Sequence, residues 1–129
     1  MDTQKTSQTI LVRLFALIFS VKIFHYRTQY YGAHKAADKF FKNFLETSDK
    51  FLEVYQGKYG RIVFDGKSID LAIPVLTDDN IQAYLAKESN YLSNNLKDLL
   101  HNENDGDLLN IRDELQAIVD QFKYLLIFK

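Results

Sequence analysis

Only one proline and five glycines punctuate these 129 residues, and that scarcity constrains the fold more than any other feature. Proline and glycine are the residues an α-helix tolerates least, so the chain is expected to run as long helices. Four apolar patterns at helical period follow one another. The first, Ile10 to Tyr26 (ILVRLFALIFSVKIFHY), is apolar almost all round and reads as a helix buried on most sides, within its own chain and against another subunit. The second runs from about Ala33 to Gln56, with Ala37, Phe40, Phe41, Phe44, Phe51, Leu52 and Tyr55 in one broad arc; Gly57 and Gly60 end it. Asp78 or Asp79 is expected to cap the third, which carries Ile81, Tyr84, Leu85, Tyr91, Leu92, Leu96, Leu99 and Leu100 as far as about His101. Asn102 to Gly106 reads as a turn and Asp107 as the cap of the fourth helix. Its seam is Leu108, Ile111, Leu115, Ile118, Val119, Phe122, Leu125 and Leu126.

Between the second and third patterns, Ile62 to Asp78 holds Gly66 and Pro74 among apolar residues. A strand pair is one reading. The preferred one is a long crossover with a short helix near Ser68 to Ala72, because an up-down-down-up bundle needs one such connection. The expected fold is therefore all-α: one domain over residues 1–129, a four-helix bundle with a long crossover between helices 2 and 3, and residues 1–8 as a flexible lead-in.

Composition removes several function classes. The chain has no cysteine, which excludes disulfides, thiolate metal sites and cysteine catalysis. A net charge of −1 without a long basic run gives no electrostatic footprint for nucleic acid, so DNA binding is not expected. The first apolar helix invites a membrane reading, but a span needs ~20 predominantly apolar residues, and Arg13 and Lys22 leave only Leu14 to Val21 uncharged. Neither a basic start nor a small-residue cleavage site marks a signal peptide. The expected setting is cytoplasmic, with no membrane. His101 is read as structural, a cation at a helix C-terminus.

The chemistry-bearing residues concentrate between His25 and Glu53. His34 and Asp38 are four apart, Asp49 and Glu53 are four apart, and both pairs fall on the second helix. At ~100° per residue they lie at about 0°, 40°, 60° and 100° around its axis, one face. At ~1.5 Å rise per residue, Asp38 is roughly 16 Å from Asp49 and roughly 22 Å from Glu53. Ligands of one ion lie within about 2.0–2.2 Å of it, so one copy of the helix cannot close a site with all four. Two copies about a two-fold axis could, the His34/Asp38 end of one meeting the Asp49/Glu53 end of the other, twice over. His25 and His34, nine apart, would lie about 180° apart on a continuous helix. Serving one metal together requires a break, expected over Thr28 to Gly32, with Gly32 permitting it. Leu45 and Leu52 interleave with the acids, which suggests a covered stripe. Tyr26, Tyr30 and Tyr31 are expected to pack that contact.

His34-x-x-x-Asp38, ten residues, then Asp49-x-x-x-Glu53, with His25 upstream, resembles the ferroxidase signature of the Dps-like mini-ferritins. The stretch from Val21 to Ile62 is also similar to small ferritin-like proteins encoded by phages. The gap between the two histidines is shorter than is usual in Dps proteins, and Tyr26 stands where they usually carry Trp. The resemblance implies a ferritin-like bundle whose iron site is built between two subunits: His25, His34 and Asp38 from one chain, Asp49 and Glu53 from the other. These five would be both metal ligands and catalytic residues. It implies oxidation of Fe(II), storage of ferric product, and homo-oligomers, a dimer at least and a shell of twelve in the family. Zinc could occupy the same ligands. The alternative is a helical interaction protein that keeps the bundle without iron chemistry.

Overall fold

The structure, a computed structural model, describes residues 3–100 and 103–128; His101 and Asn102 lie outside them, and with them the role expected of His101. Among the described residues there are helices and no strands: α1 (Thr3–Arg27), α2 (Tyr31–Tyr59), α3 (Ile81–Asn90), a π-helical segment (Tyr91–Leu96), α4 (Lys97–Leu99) and α5 (Gly106–Leu125). Backbone angles stay right-handed helical at Asn90, Tyr91, Leu96 and Lys97, so α3, the π-helical segment and α4 form one continuous rod. Four rods result.

α1 starts earlier than its apolar pattern does. Residues 3–8, expected as a flexible lead-in, are helical from Thr3 onward. Their polar side chains act as tethers. Gln4 donates to the Arg61 carbonyl and accepts from Val63 N–H, Gln8 donates to the Val63 carbonyl, and Ser7 Oγ meets Tyr55 Oη at 3.0 Å in the interior. The helix then buries Ile10, Leu14, Leu17, Ile18, Val21 and Phe24. By length and composition alone, Gln4–Arg27 could cross a bilayer, but half of its most apolar window is buried inside this bundle.

The chain breaks between α1 and α2 at Thr28–Tyr30. Gly32 is not what permits it: Gly32 lies in the first turn of α2, and Gly60 is the only positive-φ glycine among the described residues. Thr28 makes the corner instead. Its N–H continues the helix to the Phe24 carbonyl, while its hydroxyl donates to Asp78 and accepts from Tyr30 N–H. α2 runs to Tyr59 and stops at Gly60, whose φ of +93° is open to glycine and costly for other residues. The α2 arc is buried as expected except at Phe41, which is half-buried. Phe40 stacks on Phe44 and on Phe122, each at 4.9 Å, which locks α2 onto α5. Truncating such a buried ring costs about 3–5 kcal/mol.

From Gly60 to Asn80 the chain is irregular. Gln4 and Gln8 hold its start near the beginning of α1. Its end is held at the α1–α2 corner by Asp78, which accepts from Thr28 Oγ1 and Gln29 N–H. The segment thus travels the length of α1, and α3 sets out from the end where α2 began. No short helix forms over Ser68 to Ala72; Ala72 has φ of +51°, a left-handed conformation foreign to a right-handed helix. Nor do Asp78 and Asp79 cap α3. The cap position is Asn80, which exchanges hydrogen bonds with Thr77: Thr77 N–H donates to Asn80 Oδ1 and Asn80 N–H to Thr77 Oγ1.

The third rod differs from the plain helix expected through His101. Tyr91, Leu92 and Leu96 are all buried, and Tyr91 and Leu96, five apart, could not share one face of an ordinary α-helix. An i→i+5 ring brings them together. At the far end, Asp105 holds the cap position of α5, and Asp107 lies in the first turn, where its carboxylate accepts from Leu108 N–H. Asp105 is buried; it accepts from Tyr59 Oη at 2.6 and 2.7 Å, and Lys58 bridges it to Asp107. The end of α2 is thereby tied to the start of α5.

Candidate functional site

At the α1–α2 corner the turn folds His25 back onto His34. Their rings stack with centroids 3.8 Å apart and planes 19° from parallel. Each Nδ1 lies 2.8 Å from the other residue's backbone carbonyl, His25 to His34 and His34 to His25. A carbonyl oxygen only accepts, so both Nδ1 atoms carry the proton and the lone pair of each neutral ring falls on Nε2. Neither Nε2 has a hydrogen-bond partner among the described residues. Backbone-held Nδ1–H with a free Nε2 is how metal-binding imidazoles are oriented. Tyr26 stands edge-on to His25 at 5.1 Å and Tyr31 lies over His34 at 6.1 Å. Both tyrosines face outward, and His25 is buried beneath them.

Asp38, one turn along α2, is the third member of this end. Lys42 Nζ lies 3.1 Å from one carboxylate oxygen and Lys22 Nζ 3.8 Å from the other. The Lys42 hydrogen bond, with smaller contributions from the Lys42 and Lys22 charges, holds the carboxyl below its usual range. Lys22 also sits 4.6 Å from the Phe41 ring centre and 5.4 Å from that of Tyr26. That pairing was legible in principle: a lysine inside an otherwise apolar helix needs a partner. The reciprocal histidine bonds were not, because they address backbone atoms.

The other two residues of the stripe stand apart. Asp49 and Glu53 are exposed farther down α2 and make no ion pair among the described residues. Of the apolar residues between the acids, Leu52 belongs to the core and Leu45 packs against its edge. Phe19, Ile23 and Tyr26 of α1 are exposed beside half-buried Phe15. Among the described residues no three His, Asp or Glu side chains converge closely enough to hold an ion. One chain presents two oriented imidazoles, a lysine-held carboxylate beside them, and two free carboxylates at a distance.

The chain belongs to a family of unknown function, DUF5856, whose model matches residues 25–126. Neither a curated protein nor a solved structure matches it.

Proposed function

We propose that the protein is a ferritin-like subunit that binds Fe(II) between two-fold partners and oxidises it. The observation that carries this reading is the reciprocal histidine pair, which fixes both tautomers and leaves both Nε2 lone pairs unused. His25, His34 and Asp38 would form one half of a site and the partner's copies of Asp49 and Glu53 the other. Imidazole and carboxylate with open positions suit iron, which is the substrate here. The helix order supports the reading: α2 antiparallel to α1, a connection along the length of α1, α3 parallel to α2, and α5 returning, the plan of a bundle with one long crossover. The outward apolar residues of α1 support a partner against that helix. Ferric product would be collected inside a closed oligomer of such dimers.

A second reading has its own observation. The histidines satisfy each other's backbone and Asp38 is satisfied by two lysines, so the cluster is also complete as a staple of the corner. That fits a bundle that mediates contacts without iron chemistry.

Shared ownership of the site separates the two. Asp38→Ala and Glu53→Ala should each abolish Fe(II) oxidation, since every site then lacks one ligand. Subunits of the two variants, co-expressed or refolded together, should recover about half the sites in mixed dimers, because one site carries both lesions and the other neither. The ferric absorbance reports the outcome. Mixed assemblies no more active than either single variant, with mixing proved by mass, would defeat the ferroxidase reading and leave the staple.

A further inference from the structure

A second feature lies on the opposite flank of α1, away from the histidines. Between α1, α3 and the irregular connection is a cleft of about 610 Å³, within the ~300–1,000 Å³ of small-molecule sites. Val12 and Ala16 form its floor, and Phe64, Ile69, Leu71 and Pro74 of the connection form its outer wall. No hydrogen bond ties residues 64–74 to any helix among the described residues, while both flanks of the segment are tethered. The wall is therefore held at its ends only.

On the α3 side the cleft is lined by Tyr84, Lys87 and Glu88, with Arg13 of α1 beside them. Arg13 Nε donates to Glu88 at 3.1 Å, and Glu88 is only 6% exposed. The Arg13 guanidinium lies 4.2 Å from the centre of the Tyr91 ring. Pinned by the carboxylate and the ring, it keeps its two terminal NH₂ groups, four N–H donors, without partners among the described residues. Tyr91 Oη is buried and has no hydrogen-bond partner there. Burial, reinforced by Glu88, pushes Tyr84 up to about 12, so its phenol stays protonated. Lys87 stands at the rim. In formal charge Asp70 on the wall and Glu88 balance Arg13 and Lys87, and the Arg13–Glu88 pair leaves Lys87 against Asp70. What the cleft offers beside that pair is the unused terminal N–H donors of Arg13 and the ammonium of Lys87.

We infer that this cleft binds a small amphipathic acid, its carboxylate on Arg13 and Lys87 and its apolar body along Val12, Ala16 and the wall of residues 64–74. The site is independent of the iron reading. It uses other residues on another side of α1, and it stands or falls on its own measurement.

Decanoate is a suitable probe, with decanol as the same body lacking the charge, both below their aggregation limits and measured by titration calorimetry on the intact protein. Decanoate should bind saturably, and decanol at least tenfold more weakly. Lys87→Glu changes an exposed rim residue and should weaken decanoate severalfold while leaving decanol unchanged. Ala16→Phe fills the floor and should abolish binding of both, with unchanged helical circular dichroism as the control for folding. No saturable decanoate binding would overturn the proposal. Equal binding of decanol would overturn the assignment of the head group, and decanoate binding indifferent to both substitutions would overturn the location.

Discussion

Tyr59 and Asp105 show how one contact carries a defined dependence on pH. The phenol donates to a carboxylate that is wholly buried, and this hydrogen bond, with burial and the acidic charge nearby, raises Tyr59 from 10.0 to about 12. A group whose folded value is raised stabilises fully below its unfolded value and loses that contribution as pH climbs through the folded one. Tyr59→Phe should therefore cost about 1–2 kcal/mol at neutral pH, below the top of the range for hydrogen bonds to charged groups because the ring is partly exposed. The difference from the unmodified protein should hold steady up to about pH 9 and shrink between 10 and 12. Urea denaturation at several pH values checks this; a constant gap through pH 12 would mean the hydrogen bond is not its source. Arg13 and Lys22 follow the same logic at neutral pH. Each is a cation in an apolar helix, and each is anchored by a carboxylate and an aromatic face.

Among elements, the π-helical segment makes the sharpest prediction. Its i→i+5 ring holds one residue more than an α-turn, and Asn95 in it is exposed. Deleting Asn95 would let the rod continue as plain α-helix with Tyr91, Leu92, Leu96 and Leu100 still on one face. Tm should fall by no more than about 5 °C, the size of a ~1 kcal/mol change in a domain of this length. Deleting exposed Glu114 from the middle of α5 rotates everything after it by ~100°, pulling Val119 and Phe122 off the core, and should unfold the protein. Equal tolerance of the two deletions would count against the π-turn. This element also marks the limit of reading from sequence. Apolar period located all four rods, since burial enforces it, yet a π-turn leaves the same residues buried and only changes their count. Gly32 misled for a related reason: a glycine permits a bend without demanding one, and the hydroxyl of Thr28, bonded to Asp78 fifty residues away, fixed the corner instead. The histidines' meeting followed from the break; their bonds to each other's carbonyls had no sequence signal.

For the whole molecule the question is what covers the outward residues of α1. Phe19 and Ile23 are 39% and 43% exposed and Tyr26 71%, a row of large apolar side chains of the kind that marks contact surfaces. We expect no stable monomer at micromolar concentration, and we expect Phe19→Lys with Ile23→Glu to produce one that keeps its helical signal. Light scattering decides: a monomeric unmodified protein would remove the intersubunit site altogether. With a net charge of −1, few cations are available for counterion release on duplex DNA. A mobility shift at physiological salt and submicromolar protein would contradict this expectation.

The connection from Gly60 to Asn80 divides the molecule into two helical hairpins, α1 with α2 and α3 with α5, that grip each other through Phe40 and Phe122 rather than through the link. A break in the peptide backbone between Asp65 and Lys67, where the residues are exposed, would leave every helix and every tether of the link intact. Two separately encoded halves should then find one another. Fused to the two parts of a reporter, they would make association of the hairpins visible inside a cell.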